Sequence, residues 1–273
     1  SVLCQTFKNF ELIIVNDGST DDTETIANSY NDDRIKYVSQ NNKGLSEARN
    51  TGIKHSTGNF ICFLDDDDIF YNNKLEVQIE NMIKHNVLVL YSFVDRIDQH
   101  NKVLNKLNYS KEGFILNELY NSNFINGIHS LMISRKVINK IGYFKEYLKS
   151  GEDWDYWIRI AKYFQFCSLN QTVGAYRMHE IQMNHNREKM EYYDFIVLNE
   201  NMLGMQLKDK QKYLLNMYKR WTKIDYGVRD FDRFRENYKL TKVYGSHNLE
   251  WKFKYLLSYF PSLVELAYKL KNK

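Results

Sequence analysis

The chain has 273 residues, of which 43% are hydrophobic, and a formal net charge of +4. A chain of this length can bury a substantial core, either as one large domain or as a domain with an appendage. No apolar stretch is long enough to cross a bilayer, and the first residues do not resemble a signal peptide. The three cysteines are scattered and lack metal-ligand spacing, which favours a reducing cytoplasm. These features argue against a membrane-spanning protein and against a disulfide-stabilised secreted domain.

Positive charge is concentrated in the C-terminal part of the chain. From residue 204 onward there are 16 Lys and Arg against 7 Asp and Glu, a net charge of +9, whereas the preceding residues carry 22 against 27, a net charge of −5. This asymmetry predicts different partners for the two parts. No helix-turn-helix, zinc-binding or RNA-recognition motif accompanies the basic part, so we predict no nucleic-acid partner.

Predicted strands and helices alternate through the first half of the chain. The hydrophobic patterns predict strands at 11–15, 34–38, 60–64 and 87–91, and helices at 23–30, 46–56 and 73–85. This β-α-β-α order predicts an α/β fold with a mostly parallel central sheet and helices on both faces.

The pattern is less regular in the second half. We predict helices at 111–121, 135–141 and 153–164, and strands at 131–134, 166–169 and 173–177. Beyond residue 186 the sequence is helical, basic and rich in tyrosine. We therefore divide the chain into a domain at 1–185 and a basic helical C-terminal region at 186–273.

Acidic residues follow two of the predicted strands. Four consecutive aspartates, Asp65–Asp68, come directly after the strand at 60–64, and the strand at 11–15 continues into Asn16 and Asp17. In open α/β sheets, ligands bind outside the carboxyl ends of the strands. Because four adjacent carboxylates repel one another, a hard divalent cation with oxygen ligands would stabilise the cluster. The two acidic strand ends therefore predict one polar site that holds a metal and a phosphorylated ligand.

Two other interpretations of the aspartate run are a solvated turn and a calcium loop. Asp65, Asp67 and Glu76 fall at the first, third and twelfth positions of an EF-hand loop. The sixth position requires Gly but is Phe70, and the fifth is Ile69, which has no side-chain oxygen. The calcium loop is therefore rejected, while the solvated turn stays open at this point.

Five motifs follow one another between Ser1 and His179. They lie at 1–23, at 41–52 (Asn-Asn-Lys-Gly-Leu-Ser-Glu-Ala-Arg-Asn-Thr-Gly), at 63–68 (Phe-Leu-Asp-Asp-Asp-Asp), at 151–155 (Gly-Glu-Asp-Trp-Asp) and at 176–179 (Tyr-Arg-Met-His). In this order and spacing they resemble the inverting family 2 glycosyltransferases of bacterial surface-polysaccharide assembly.

The resemblance implies the glycosyltransferase-A fold, a Rossmann-like nucleotide-diphospho-sugar transferase fold. It implies a nucleotide-sugar-binding half at 1–94 and an acceptor-binding half at 95–185. The first strand of the family would precede Ser1, so we expect that this strand is missing from the chain.

The resemblance also implies roles for individual residues. Asp17 would accept a hydrogen bond from the nucleotide base, and Asp67 would bind Mn²⁺ or Mg²⁺ directly, with Asp65 reaching the metal or the ribose. Asp153 would be the general base that deprotonates the acceptor hydroxyl. The remaining donor-site residues would be Asn41, Arg49, Asp66, Glu152, Arg177 and His179.

Simpler interpretations of single residues also exist. Asp17 could cap a turn before Gly18, Arg49 could be a surface charge, and Glu152 with Asp153 could complement a helix dipole.

The implied activity is metal-dependent transfer of a hexose, with inversion, from a UDP-sugar to a glycan or lipid-linked glycan acceptor. The alternatives are a sugar nucleotidyltransferase and a catalytically inactive nucleotide-sugar or carbohydrate-binding module. A glycoside hydrolase also uses paired carboxylates but needs neither Asp17 nor an Asp-x-Asp element at a strand end.

The C-terminal region carries an apolar stripe at helical spacing, formed by Leu249, Phe253, Leu256, Leu257, Phe260, Leu263, Val264, Ala267 and Leu270. Five lysines flank it: Lys252, Lys254, Lys269, Lys271 and Lys273. The stripe predicts either a helix packed on the catalytic domain or an interfacial helix on an anionic membrane. The second interpretation implies a cytoplasmic protein that binds the inner face of the cell membrane peripherally.

Overall fold

A computed structural model of the chain describes residues 1–125, 127–179, 186–245, 249–261 and 264. The chain forms two compact units. The first comprises Ser1–Leu119 and Asn123–Tyr193, and the second comprises Tyr120–Ser122 and Asp194–Lys273. The division between them lies within a helix, Arg187–Asn201, a few residues beyond the boundary predicted after residue 185.

The first unit begins with a small parallel sheet. Strands β1 (Leu12–Asp17) and β2 (Ile35–Gln40) pair in parallel, with Asp17 opposite Gln40. Helix α1 (Thr23–Ser29) connects the two strands, and helix α2 (Leu45–His55) follows β2 and contacts β1. Asp17 is therefore the last residue of β1, and the carboxyl ends of both strands lie side by side.

A second sheet of the first unit has six strands. Their order is β3 (Phe60–Ile61), β7 (Leu131–Ser134), β5 (Val89–Ile97), β8 (Cys167–Arg177) and β4 (Ile69–Phe70), and β6 (Val103–Leu107) pairs with β5. Among the described strands of this sheet, only β5 and β8 run parallel. The predicted α/β class with flanking helices is confirmed, but the mostly parallel pairing is wrong here. One reason is the short turn between β5 and β6, which can join only antiparallel strands.

Several predicted elements have different bounds in the structure. The strand predicted at 60–64 is β3, which ends at Ile61; Ile61 is buried and Phe60 is partly buried. The helix predicted at 111–121 is α4 (Leu116–Asn121). The two strands predicted at 166–169 and 173–177 form the single strand β8, whose register against β5 shifts near Ser92 and Phe93.

The other helices of this unit lie where the sequence predicts them: α3 (Lys74–Lys84), α5 (Arg135–Ile141) and α6 (Glu152–Ala161). In α6, Trp154 and Trp157 are almost fully buried. Burial of each such side chain contributes about 1.5–3 kcal/mol. This packing fixes the first turn of α6, which carries Glu152 and Asp153.

The rest of the described chain is helical, as predicted. Helix α7 (Arg187–Asn201) is followed by α8 (Leu207–Gly227), α9 (Phe231–Tyr244) and α10 (Leu249–Leu257). Aromatic rings join α9 to α10, since Tyr238 stacks on Tyr255 with centroids 4.4 Å apart and Phe234 stacks on Trp251 at 6.2 Å. No helix among the described residues is long and apolar enough to span a membrane.

Candidate active site

Asp17 lies at the end of β1 with its carboxylate held by the loop after β2. Oδ1 accepts hydrogen bonds from Gln40 Nε2 at 2.7 Å and from the Lys43 amide at 2.9 Å, and Oδ2 accepts one from the Gly44 amide at 2.7 Å. Burial alone would raise the pKa of Asp17, but these hydrogen bonds lower it below its ordinary value. A carboxylate offers about four acceptor positions, so an ionised Asp17 can accept one further N–H. Asn41, in the same loop, is exposed.

Arg49 joins two acidic segments that are far apart in the sequence. Its guanidinium donates to Glu152 Oε1 at 2.7 Å and to Asp65 Oδ1 at 2.8 Å, and the residue is only 8% exposed. Burial would lower the pKa of Arg49, but the carboxylates of Asp65 and Glu152 raise it above its ordinary value. Arg49 is therefore a buried arginine that forms two ion pairs, and not a surface charge. It brings the start of the aspartate run and the start of α6 into one site.

The four aspartates have different environments. Asp65 faces Arg49, Asp66 is exposed, and Asp68 is buried. Asp67 Oδ2 lies 2.8 Å from His179 Nε2, and both side chains are about one third exposed, at 33% and 34%. A solvated turn would leave all four carboxylates in water, so this simpler interpretation is wrong for Asp68, whose side chain is 1% exposed. Asp65 is one third exposed but forms an ion pair with Arg49.

The end of β8 reaches the aspartate run. Arg177 Nε donates to the Asp67 backbone carbonyl at 2.8 Å, and the Arg177 amide donates to Asp68 Oδ1 at 3.0 Å. The predicted residues Asp67, Arg177 and His179 therefore lie together. The motifs at 63–68 and 176–179 are therefore in direct contact, although more than 100 residues separate them in the sequence.

Asp153 is in the first turn of α6. Its Oδ1 accepts hydrogen bonds from the Trp154 amide at 2.6 Å and from Asn123 Nδ2 at 3.2 Å. Within the described residues, Oδ2 accepts no hydrogen bond. Burial, together with the neighbouring charge of Glu152, raises the pKa of Asp153 to about 7. A partly open carboxylate with one unoccupied oxygen and a pKa near neutrality has the properties of a general base.

Sequence reasoning missed several residues that shape this site. Gln40 and Asn123 bond directly to Asp17 and Asp153, and Lys149 lies close enough to Asp17 to lower its pKa. Gln40 follows a predicted strand, as Asp17 does, and that position was the one available signal. Nothing in the local sequence distinguishes Asn123 or Lys149 from other surface residues. The binding and catalytic roles of the predicted site residues stay predictions.

A comparison with known protein families shows the family to which the chain belongs. The sequence profile described as "Glycosyl transferase family 2" matches residues 1–142. The chain belongs to this family. The match begins at Ser1 and includes Asp17, Arg49 and the aspartate run.

Curated relatives of this family member agree with the assignment. The "UDP-Glc:alpha-D-GlcNAc-diphosphoundecaprenol beta-1,3-glucosyltransferase WfgD" of Escherichia coli is 32% identical over 192 residues, covering 69% of this chain and 74% of the relative. An uncharacterized glycosyltransferase of Rickettsia bellii is 39% identical over 163 residues, covering 59% of this chain. This chain spans only 23% of the R. bellii protein and 63% of a second relative, from Rickettsia prowazekii.

A solved structure shows the same fold. Residues 1–349 of S. aureus TarS, crystallised with UDP-GlcNAc, match 99% of this chain and 86% of that chain with a TM-score of 0.59 at 18% identity. The glycosyltransferase-A fold predicted from the sequence is thus confirmed for this family 2 chain.

Proposed function

We propose that this family 2 chain transfers a sugar from a UDP-sugar to an acceptor hydroxyl, with inversion, in the assembly of a bacterial polysaccharide. The observation that carries the proposal is the single site in which Arg49 joins Asp65 to Glu152, next to Asp153. In this site one buried guanidinium pairs with the aspartate run and with Glu152, the residue that precedes the candidate base Asp153. A donor and an acceptor bound there would meet between the two groups.

The donor would be bound by the carboxyl ends of β1 and β2 and by the aspartate run. Asp17 has room for one more donor N–H, such as the imide of a uracil base. WfgD is named as a UDP-Glc enzyme, and TarS was crystallised with UDP-GlcNAc and with UDP. These names support a UDP-sugar as donor.

A divalent cation fits the pair of Asp67 and His179. A carboxylate oxygen and an imidazole nitrogen lie 2.8 Å apart there. Among the described residues, no group of three or more His, Cys, Asp or Glu converges on one point. Mg²⁺ and similar cations often take one or two protein ligands and complete their shell with substrate phosphates and water. Mn²⁺ or Mg²⁺ bound there would stabilise the negative charge that develops on the departing diphosphate.

Asp153 would receive the proton of the acceptor hydroxyl. Its Oδ1 is fixed by the Trp154 amide and Asn123, which leaves Oδ2 to accept that proton. The acceptor oxygen then attacks the anomeric carbon opposite the departing nucleotide, so the configuration of that carbon inverts. A positioned base of this kind contributes about 10²–10⁴-fold to the rate.

A panel of nucleotide sugars with Mn²⁺ tests this function. We expect hydrolysis or transfer of UDP-sugars, abolished by EDTA, and NMR of the first product should show the inverted anomer. A sugar nucleotidyltransferase would instead convert UTP and a sugar 1-phosphate to a UDP-sugar and pyrophosphate. An inactive binding module would bind UDP without turning over any donor.

The exposed face of α10 supports a membrane surface as a further partner. Phe253 and Leu256 lie on one face of α10 and are 61% and 62% exposed, and Phe260, which follows the helix, is 58% exposed. The opposite face stacks on α9 through Trp251 and Tyr255. We propose that the exposed face rests on the anionic inner face of the cell membrane, where a lipid-linked acceptor would be bound. Leu263, Ala267 and Leu270 of the predicted stripe lie outside the described residues.

Liposome sedimentation tests this membrane partner. The triple variant Phe253→Ser, Leu256→Ser and Phe260→Ser should lose at least about 10-fold in affinity for anionic liposomes at low salt, because each side chain loses apolar burial. Donor hydrolysis should not change. Leu203→Ser with Leu207→Ser, at positions 76% and 71% exposed, is the matched control and should bind as the parent does. If the parent chain ignores anionic liposomes at low salt, the membrane partner is wrong and the acceptor need not be a lipid.

A further inference from the structure

Asp68 and His129 form a buried pair that the proposed mechanism does not use. Their side chains are 1% and 0% exposed, and His129 Nδ1 lies 2.8 Å from Asp68 Oδ2. The distance is that of an ion pair, although the two atoms are not aligned for a hydrogen bond, and His129 Nε2 has no partner among the described residues. Burial of two polar groups is costly unless each compensates the other, so the pair calls for an explanation.

The ring of His129 occupies a space that two glycines leave open. A Cβ at Gly127, where φ is +75°, would lie 2.5 Å from His129 Cε1. A Cβ at Gly174 would lie 2.6 Å from the Ile69 carbonyl oxygen and 3.3 Å from His129 Cδ2. Tyr176 stacks in parallel with the imidazole, with ring centroids 6.2 Å apart. The imidazole is therefore confined from several directions.

Helix α3 holds the backbone that follows His129. Gln78 Nε2 donates to the Ser130 carbonyl at 2.8 Å and to Ser92 Oγ at 2.9 Å. Lys74 Nζ bonds to Gln78 Oε1 and donates to the Leu131 carbonyl at 3.4 Å. Lys74 and Gln78 are both 0% exposed. A buried polar network that is satisfied in this way rigidifies its surroundings, so the position of His129 is fixed through its backbone as well as its ring.

Asp68 contacts both His129, whose position is fixed, and the end of β8 at the candidate cation site. Its Oδ1 accepts the Arg177 amide at 3.0 Å, while Oδ2 faces His129. Arg177 in turn donates to the carbonyl of Asp67, whose carboxylate contacts His179. The pair thus lies between the core of the unit and the two segments that carry the candidate cation ligands.

We propose that Asp68 and His129 are a positioning pair that holds the aspartate run against the end of β8, so that Asp67, Arg177 and His179 act as one cation- and diphosphate-binding group. This inference rests on the proposed function, because it assigns that group to the cation and the diphosphate. Partners of metal ligands act in this way in other metal sites, where they orient ligands that they do not replace.

The affinity for Mn²⁺ in the presence of UDP, measured by electron paramagnetic resonance, tests the pair without relying on catalysis. His129→Leu removes the partner of Asp68 and should weaken Mn²⁺ binding about 10–100-fold. His129→Asn keeps a polar group that can face Asp68 and should retain most of the affinity. Parental Mn²⁺ affinity in a folded His129→Leu variant would overturn the proposal.

A double variant separates positioning from stability. His129→Leu leaves Asp68 Oδ2 buried without the imidazole that faces it, and among the described residues only the Arg177 amide still bonds to the carboxylate, at Oδ1. Asp68→Asn with His129→Leu removes the negative charge and should recover much of the lost Tm. We expect the double variant to stay weak in Mn²⁺ binding. Recovery of Mn²⁺ affinity together with Tm would show that the pair is only structural, and the proposal would be wrong.

Two further variants complete the test. Asp95, on β5, is as buried as Asp68, each being 7% exposed, and it accepts a hydrogen bond from the hydroxyl of Tyr71, which directly follows β4. Asp95→Asn should lower Tm without changing Mn²⁺ affinity. An equal loss of Mn²⁺ affinity in Asp95→Asn would contradict a specific role for the pair of Asp68 and His129.

Asp67→Asn distinguishes failure of the proposed cation site from failure of the positioning pair. If this variant binds Mn²⁺ like the parent, the proposed cation site fails. If it loses Mn²⁺ while His129→Leu does not, only the positioning pair fails.

Discussion

Asp67→Ala is expected to abolish sugar transfer and nearly all metal-dependent binding of UDP. The substitution removes the carboxylate that lies 2.8 Å from His179, and with it the proposed protein ligand that connects the cation to the diphosphate. Transfer should fall by at least about 10²-fold, the scale at which loss of one charge-stabilising group acts on catalysis. The measurements are transfer rate and UDP titration, each with Mn²⁺ and with EDTA.

Asp33→Ala is a suitable control for this experiment. Asp33 is an exposed aspartate of the first unit, between α1 and β2, and it lies outside the candidate site. Its removal changes the net charge by the same amount and should leave transfer and UDP binding unchanged. Full activity of the parent chain in EDTA would contradict both the metal dependence and the role of Asp67.

Asp153→Asn should lower the transfer rate by about 10²-fold or more while donor affinity changes little. The amide keeps the shape of the side chain and the hydrogen bond from Trp154, but it cannot take the acceptor proton. The substitution therefore separates proton transfer from donor binding. Single-turnover transfer and UDP-sugar titration would measure the two effects.

The pH dependence gives a second readout of Asp153. A base must be ionised to act, and the pKa of Asp153 is raised to about 7, so kcat/KM of the parent should rise as pH increases through about 7 and then level off. Asp153→Asn should show no such rise. Transfer at the parental rate by this variant would mean that another residue is the base.

Asp155→Asn provides a matched control in the same helix turn. Asp155 is fully buried and pairs with Lys145 and Arg159 at 2.8 and 2.7 Å. Breaking such buried pairs costs stability, so this variant should have a lower Tm. Its pH profile should nevertheless keep the rise through about 7, which Asp153→Asn should not show.

Much of the first unit could be predicted from the sequence because its signals are local. The helices at α2, α3, α5 and α6 follow from apolar periodicity and from the residues at their ends. The short strands β4 and β6 were missed, since two apolar residues at Ile69–Phe70 and an exposed strand at Val103–Leu107 give no clear pattern. Pairing with β8 and β5 makes them strands.

The residues of the candidate site also fall into two groups: those that the sequence predicts and those that only the fold brings into contact with them. Asp17, Arg49, the aspartate run, Asp153 and His179 could be chosen from motifs that stand in a fixed order along the chain. Their partners could not, because Gln40, Asn123 and His129 contact them through the fold and not through sequence spacing. Arg49 shows the difference clearly, since its two carboxylate partners lie 16 and 103 residues away in the chain.

The sequence by itself determined the family, the order of helices and most strands, and the residue types that the site requires, because these depend on local periodicity and on motif spacing. Only the tertiary structure decided the strand directions, the burial of Arg49 and Asp68, and the raised pKa of Asp153. These properties depend on which distant segments pack together and how much water they exclude. Charge, hydrogen bonding and acidity in a folded chain respond to that packing, and no local pattern encodes it.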